Sequence, residues 1–282
     1  MSTLKAGVSR ANITPNVGAI TNGGVSIGIA SELFAKALVL DDGQTKAALV
    51  TVDVILLGKE VVAETRERIE KATGIPGSHV MFAASHTHSS PVTTRQAWGP
   101  GAQNVPDQCY IDQLVAKMAG AVAEANSQQA EVRIGVGEGH APFNINRWLP
   151  TPDGPTGARW YPNADGPTDE TLSVLRVDRM DGTPLAAVVN FAAHASVARW
   201  GKYFCADYPG YMQETLENLY DGNMTAMFVN GASGDLKIKW LTTKEDGSID
   251  FAYGDANDAR RWGRVIAGVA LSVMEQLLWV ML

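Results

Sequence analysis

The sequence predicts an α/β fold in which mixed β-sheets are covered by helices. Two pairs of apolar runs are each separated by an Asp-Gly turn, and each pair is followed by a segment with helical periodicity. Antiparallel hairpins combined with helical crossovers place strands of both directions in one sheet. No low-complexity linker divides the 282 residues, so we expect a single domain over residues 1–282, with more chain beyond its C-terminal end.

The first half of the chain contains a predicted hairpin, helix and strand. Asp42 and Gly43 lie between the apolar runs FAKALVL and KAALVTVDVILL, a pattern typical of a β-hairpin. The next segment, EVVAETRERIEKATG, has apolar residues at helical spacing and ends in the stop signal Gly74. The run HVMFAA then predicts a strand that stops just before His86 and His88.

The second half follows the same plan. Asp181 and Gly182 separate TLSVLRV from PLAAVVNFAAH, the segment ADYPGYMQETLENLYDG begins a predicted helix, and TAMFVN predicts a strand followed by the loop GASGDLK. An internal duplication explains this recurrence, and so does chance, because hairpin-helix-strand units are common. Both explanations stay open at the level of sequence.

Between the halves, YIDQLVAKMAGAVAEAN predicts a helix and EVRIGVGEG a strand. The segment 144–168 is rich in Pro, Gly, Trp and Asn and is too long for a plain connector, so we expect a binding loop or lid. Its Trp148, Trp160 and Tyr161 offer apolar surface to an acyl chain.

The C-terminal stretch RVIAGVALSVMEQLLWVML is nearly as long as a membrane span. Glu275 and Gln276 interrupt it, so a buried core helix is the better interpretation. Because it ends on apolar residues, we expect Trp279 and Leu282 to contact missing chain or a partner, such as a second copy in a homo-oligomer.

Composition excludes several classes of function. The net charge is −7, the isoelectric point is near 5.3 and no Lys/Arg block is present, which argues against a nucleic-acid partner. The first residues lack the apolar region of a signal peptide, so we expect a cytoplasmic protein. Cys109 and Cys205 are interpreted as small buried residues in a reducing compartment.

His86 and His88 are the most informative residues, because two of only five histidines lie within three positions at the end of an apolar strand. Imidazole is the commonest metal ligand and the usual general base near neutral pH. His194 ends a second apolar strand and could supply another ligand to tetrahedral zinc. The alternative is structural, with one histidine packed, another capping a loop and His194 in the core.

Two further residues are candidates for polar roles. Asp235, in the small-residue loop after TAMFVN, could orient a histidine or hold a metal-bound water, or it could serve the turn alone. Arg147 lies beside Asn144 and Asn146 and is suited to holding a carboxylate or a developing oxyanion, unless it is simply solvated.

Taken in order, these motifs resemble the N-terminal catalytic domain of the neutral/alkaline ceramidase family. The matching segments run nearly end to end: AGVSRANITP, LFAKALVLDDG, VTVD, GIPGSHVMFAASHTHSSP, NINR, LRVDRMDGTPLAAVVNFAAH, ADYPG and FVNGASGD. The resemblance implies amide hydrolysis of N-acylsphingosine with one zinc ion. It implies that His86 and His194 bind zinc, that His88 is the companion catalytic histidine, and that Arg147 and Asp235 line the pocket.

The chain departs from this family at Lys237, which stands where ceramidases have a serine in a GDxSPN stretch. The family also takes a Glu and a Tyr ligand from further along the chain. A cation is repelled by zinc, so we expect the Lys237 ammonium to point away from the metal toward solvent or an acid, with Asp235 the nearest candidate. We expect ceramide turnover to be weak or absent, with activated esters still able to react.

The sequence therefore supports two hypotheses. The first is a zinc-dependent hydrolase of an amide or ester bond in a small molecule or lipid, in which His88 moves the proton and Arg147 or Asp235 steadies the developing charge. The second is a non-catalytic ceramidase-like remnant that binds a lipid or a protein partner. The first requires the ligand nitrogens of His86 and His194 to lie roughly 3–3.5 Å apart.

Overall fold

The computed structural model describes residues 3–95, 105–152, 157–198, 201–277 and 279–280. Its helices are α1 (Lys59–Thr73), α2 (Gln108–Ser127), α3 (Asp207–Leu219) and α4 (Ala256–Met274). Its strands are β1 (Lys5–Asn12), β2 (Ile20–Thr21), β3 (Gly24–Val25), β4 (Gly28–Ile29), β5 (Phe34–Asp41), β6 (Lys46–Val52), β7 (Val80–Ala84), β8 (Ala130–His140), β9 (Asn144–Pro150), β10 (Ala158–Asn163), β11 (Thr171–Arg179), β12 (Pro184–Phe191), β13 (Tyr203–Phe204), β14 (Thr225–Asn230), β15 (Leu236–Ile238), β16 (Leu241–Thr243), β17 (Ile249–Phe251) and β18 (Trp279–Val280).

The main sheet has the strand order β14-β12-β11-β8-β1-β5-β6-β7, with β18 added to β8. The hairpins β5/β6 and β11/β12 are antiparallel, whereas the outer strands β7 and β14 run parallel to β6 and β12. The predicted mixed sheet is confirmed. The two halves of the sheet are joined by a short pairing between β1 and β8, in which Lys5 faces Glu131 and Ala6 faces Ala130.

Three buried clusters show how the layers pack. One joins α1 and α2 to β5 and β6, and another joins α3 and α4 to β11 and β12. The third includes residues of β1, β5, β8, β11, β12 and β14, so the two half-sheets face each other across it. Period-two alternation explains the arrangement: Ala187 and Val189 of β12 pack on the helices, while Ala186 and Val188 pack between the half-sheets.

Both predicted hairpins form where the sequence places them. In the first turn, the Asp42 carboxylate accepts hydrogen bonds from the backbone N–H groups of Gln44 and Thr45, and Gly43 has φ 85°. These hydrogen bonds hold the pKa of Asp42 below its ordinary value. Gly182 in the second turn has φ 87°, so both turns use the left-handed conformation that glycine adopts most easily.

The C-terminal segment forms the expected buried helix only as far as Met274, and Trp279 and Val280 instead form strand β18, which pairs with β8. Asp255 and Asp258 make a capping box at the start of α4, and the buried face of α4 packs against α3. None of the helices in the described residues is long and apolar enough to cross a membrane. The indole of Trp279 lies under the guanidinium of Arg133 at 4.0 Å, so this residue contacts its own chain. Leu282 lies outside the described residues, and association of copies through α4 stays a prediction.

Two expectations are wrong. Cys205 is buried as predicted, but Cys109, near the start of α2, is exposed. The segment 144–168, expected to be a loop, contains the antiparallel hairpin of β9 and β10, and β15 extends it to a three-stranded sheet. Aromatic residues are common in paired strands as well as on binding surfaces. The composition of this segment therefore does not distinguish a hairpin from a binding loop.

Candidate metal centre and active site

The candidate site lies where the carboxyl ends of four strands meet. His86 and His88 follow β7, His194 follows β12, and the loop that contains Ser233 and Asp235 follows β14. The fourth strand, β6, ends just before Asp53. Parallel pairing of β6 with β7 and of β12 with β14 brings these ends to one edge of each half-sheet.

The segment 53–56 after β6 holds the turn that carries His86. The backbone N–H of His86 donates to the Val54 carbonyl, and its imidazole Nδ1 lies 2.6 Å from the Ile55 carbonyl oxygen. His86 has φ 63°, a left-handed conformation that costs energy in a residue with a side chain. The strand ends at Ala84, as the sequence predicts, and His86 and His88 follow it in a constrained turn.

The loop after β14 holds His194. The backbone N–H of His194 donates to the Leu236 carbonyl, and its Nδ1 lies 2.8 Å from the carbonyl oxygen of Ser233. A carbonyl oxygen only accepts hydrogen bonds, so Nδ1 carries the proton and Nε2 is left with its lone pair. The same reasoning assigns the Nδ1–H tautomer to His86.

The two Nε2 atoms face each other at 3.1 Å. The separation expected for two ligands of one metal ion is therefore present between residues 108 positions apart. Two lone pairs at this distance repel unless a cation lies between or beside them. A shared proton is disfavoured, because burial lowers the pKa of both rings, that of His194 to about 3.

His88 completes a triangle of imidazoles, of which His88 and His194 are buried and His86 is half-buried. The His88 ring centroid lies 5.2 Å from that of His86 and 5.3 Å from that of His194, and one ligand nitrogen from each ring lies within 4.8 Å of the other two. Burial, followed by the neighbouring His194 and His86 rings and the charges of Arg147 and Lys237, lowers the pKa of His88 to about 2. His88 is therefore neutral at physiological pH and able to accept a hydrogen bond.

Arg147 and Asp235 lie beside the histidines on paired segments. The Nε and Nη2 atoms of Arg147 donate to the Gly234 carbonyl at 3.0 and 2.5 Å, and its guanidinium stacks 4.1 Å from the Trp160 ring centroid. Burial lowers the pKa of Arg147 to about 10, and its charge helps to lower the pKa of all three histidines.

The Asp235 carboxylate accepts a hydrogen bond from the Asn146 amide at 3.1 Å, and its backbone carbonyl accepts from the Arg147 N–H. The hydrogen bonds that orient His86 and His194 come from the backbone carbonyls of Ile55 and Ser233. Sequence reasoning missed both carbonyls, since a backbone acceptor carries no residue-type signal.

The aromatic residues of the β9/β10 hairpin form an exposed surface next to Arg147. Trp148 and Trp160 meet edge to face with centroids 5.5 Å apart, and each is about two-fifths exposed, at 40% and 43%. The Arg159 guanidinium lies over the Tyr161 ring at 4.6 Å. Because Arg147 stacks on Trp160, this surface reaches the site, and it remains a candidate to contact a substrate chain.

Of the two orientations expected for Lys237, toward solvent or toward an acid, the first is wrong. Its side chain is buried, at 3% exposure, rather than directed to solvent. Its Nζ lies 3.8 Å from the Tyr253 ring centroid and donates to the Ser196 carbonyl at 3.4 Å, while the Asp235 carboxylate bonds to Asn146. Alternation along a strand predicts that Lys237 is exposed between Leu236 and Ile238, but all three residues of β15 are buried.

Comparisons with known proteins find a matching family model and solved structures with a similar fold. A family model described as the N-terminal part of neutral/alkaline non-lysosomal ceramidase matches residues 5–248. The crystal structure of a neutral ceramidase from Pseudomonas aeruginosa has 21% identity and a TM-score of 0.79, and the match covers 98% of this chain and 45% of that one. A ceramidase complexed with C2 has 20% identity and a TM-score of 0.79, with 98% and 44% covered. The chain thus spans less than half the length of these two structures. No curated protein sequence gives a significant match.

Proposed function

The chain belongs to the neutral/alkaline non-lysosomal ceramidase family, and from this premise we propose that it is a zinc-dependent hydrolase of acyl amide or ester bonds. The observation that carries the proposal is the pair of His86 and His194 Nε2 atoms facing each other at 3.1 Å. Neutral imidazole nitrogens suit zinc as well as copper, iron and nickel, and the family favours zinc among these. Zinc, when bound, would supply Lewis acidity and lower the pKa of water.

The residues around the pair have separate roles in this proposal. His86 and His194 would hold the metal, with their tautomers set by the Ile55 and Ser233 carbonyls. Neutral His88 would accept the proton of the attacking water and later pass it to the leaving amine. Water oxygen bonds to the carbonyl carbon, the C–N bond breaks, and the amine leaves with the proton.

Arg147 would steady the negative charge that develops on the carbonyl oxygen. Its guanidinium is partly buried, so its interaction with an anion is screened less than at a fully exposed site. Asp235 would act indirectly, since its hydrogen bonds to Asn146 and to the Arg147 backbone fix the strand that presents the guanidinium. The exposed rings of Trp148 and Trp160 would contact an acyl chain.

Metal content and turnover test the proposal together. The purified protein should retain about one zinc per chain, and it should hydrolyse a fluorescent ceramide or a p-nitrophenyl ester in a manner abolished by chelation and restored by zinc. His88→Ala should keep the zinc and lose at least about 100-fold in rate, the range of general acid–base catalysis. His79→Ala, which changes an exposed histidine on the Gly77–His79 turn, is the matched control.

Two results would contradict the proposal. Absence of bound metal after growth and purification with zinc would favour the non-catalytic remnant that binds a lipid or a protein partner. Ester hydrolysis that persists in both His86→Ala and His194→Ala would show that turnover does not involve this site.

A further inference from the structure

Lys237 is placed in the wall of the site by its backbone. Its Cα pairs with that of His194 in an isolated parallel bridge, and the Leu236 carbonyl beside it accepts the His194 N–H. The Lys237 ammonium is buried against the Tyr253 ring and the Ser196 carbonyl, with the Phe251 ring 5.3 Å away. The charge of Lys237 acts on the buried Asp207 carboxylate as well as on the imidazoles of His88 and His194, so a positive group is held beside a candidate metal ligand.

Arg147 brings a second positive charge from the neighbouring strand. Strands β9 and β15 pair with Ile145 opposite Lys237, and Arg147 follows two residues later. The two cations come from one three-stranded sheet and flank the same histidines. Both charges lie close enough to His88 and His194 to act on the two imidazoles.

The acidic residues near Lys237 and Arg147 do not make the net charge of the site negative. Asp207 accepts hydrogen bonds from the backbone N–H groups of Val197, Ala198 and Tyr208, and Asp235 accepts one from Asn146. Asp250 lies 2.5 Å from Lys244 in an ion pair, and the charge of Lys237 also helps to lower its pKa. With a divalent metal bound, positive charges outnumber the negative charges of Asp207 and Asp235. A ligand with a negative group gains from this field and a neutral ligand does not.

We propose that the site selects acyl amides with a carboxylate close to the scissile bond, that is N-acyl amino acids, over uncharged acyl amides, and that Lys237 determines this specificity. The carboxylate must be close, since the side chains of His194 and Lys237 start from adjacent backbone positions. In an N-acyl amino acid the carboxylate is two bonds from the amide nitrogen. The inference names a substrate class for the proposed hydrolase and rests on that function.

A matched pair of ligands tests the inference without requiring turnover. N-octanoylglycine and N-octanoylglycinamide differ in charge and hardly in shape, and their affinities for the zinc-loaded protein are measured by calorimetry. We expect the carboxylate to bind about tenfold more tightly, within the range of a charge-assisted hydrogen bond. Lys237→Met should reduce the ratio to about twofold or less, and Lys237→Arg should preserve most of it.

Lys239→Met is the control, because it removes the same charge from an exposed position two residues away. It should leave the tenfold ratio unchanged. Zinc itself attracts carboxylates, but it is common to all variants, so the difference between them reports Lys237. The preference should weaken between 50 and 500 mM salt, since part of it is a screened charge interaction.

The inference is overturned by equal affinity for the two ligands in the wild type, or by a ratio that Lys237→Met leaves intact. If Lys237→Met does not fold, the inference is still tested by the ratio of the two ligand affinities in the wild type and in Lys237→Arg. Octanoate release is measured on the same samples. Release of octanoate with equal affinity for the two ligands would contradict this inference and leave the proposed hydrolase intact. Tighter binding of the carboxylate ligand by a protein that neither retains zinc nor releases octanoate would support this inference and contradict the proposed hydrolase.

Discussion

The two halves of the molecule share one architecture but present different polar residues from their loops. The first unit (β5, β6, α1 and β7) and the second unit (β11, β12, α3 and β14) each consist of an antiparallel hairpin, a helix and a parallel outer strand. The first unit places Asp53 after its hairpin and the His86/His88 turn after its outer strand. The second places His194 after its hairpin and the Ser233–Asp235 loop after its outer strand.

The two units differ in their loops rather than in their strands. Within each unit, one loop supports the histidine that another loop presents: residues 54–55 hold His86, and Ser233 with Leu236 holds His194. The candidate metal pair then takes one histidine from each unit. The comparison indicates that the repeated scaffold provides rigid strand ends, and that the site forms only when both units are docked.

The largest effect should come from removing either member of the pair. His86→Ala and His194→Ala should each weaken zinc affinity by more than roughly 100-fold, the loss that outer-shell partners alone can cause. Equal losses would confirm that both units contribute equally. Competition with a chromogenic chelator measures the affinity, with His79→Ala as control. A loss confined to one variant would show that the metal belongs to one unit.

Docking of the two units should depend on Lys36 of β5. Its buried Nζ donates to Glu217 of α3 at 2.6 Å and to the Ala226 carbonyl of β14 at 2.8 Å. Lys36→Met leaves Glu217 without this partner, so we expect a loss of about 3 kcal/mol in the free energy of unfolding. Arg10→Met removes an exposed cation from the same carboxylate and should cost less than about 1 kcal/mol. If urea unfolding shows similar losses of free energy for Lys36→Met and Arg10→Met, the buried Lys36–Glu217 ion pair does not hold the two units together.

Acid should destabilise the metal-free protein through the histidines at the junction of the units. Burial holds the pKa values of His88 and His194 near 2 and 3 in the folded state, whereas unfolded histidines titrate near 6.5. Below about pH 6.5 the unfolded chain therefore binds protons that the folded protein excludes, and stability falls as the pH decreases.

The expected loss is about 1 kcal/mol per histidine for one pH unit below 6.5. Urea unfolding in EDTA at several pH values measures the slope, which His88→Ala should reduce and His79→Ala should not. An unchanged slope in His88→Ala would mean that this ring titrates normally in the folded protein.

The smallest effect tests whether the two hairpins are equivalent. Gly43→Ala and Gly182→Ala place a side chain at φ 85° and 87°, so each should cost about 1 kcal/mol. Gly120→Ala, at an exposed position inside α2, should instead stabilise by up to about 1 kcal/mol. Thermal unfolding compares the three. Very different costs for the two turns would show that one hairpin is supported by contacts that the other lacks.

Much of this molecule could be predicted from local pattern. The turns at Gly43 and Gly182, the end of α1 at Gly74 and the buried character of α4 all follow from periodicity and turn chemistry. The hairpin within 144–168 did not follow, because its Trp, Asn and Pro residues are typical of loops as well as of edge strands. The solvent exposure of Cys109 depends on which face of α2 the fold covers.

By itself, the sequence determined the order of elements, the repeated plan and the histidines at the ends of apolar runs, because backbone propensity and side-chain period act over a few residues. Tertiary structure decided the rest. It brought His86 and His194 together across the junction of the two units, and set both tautomers through the carbonyls of Ile55 and Ser233. It also buried Lys237 against Tyr253. These features depend on packing between distant segments, where close approach, desolvation and backbone acceptors have no signature in local sequence.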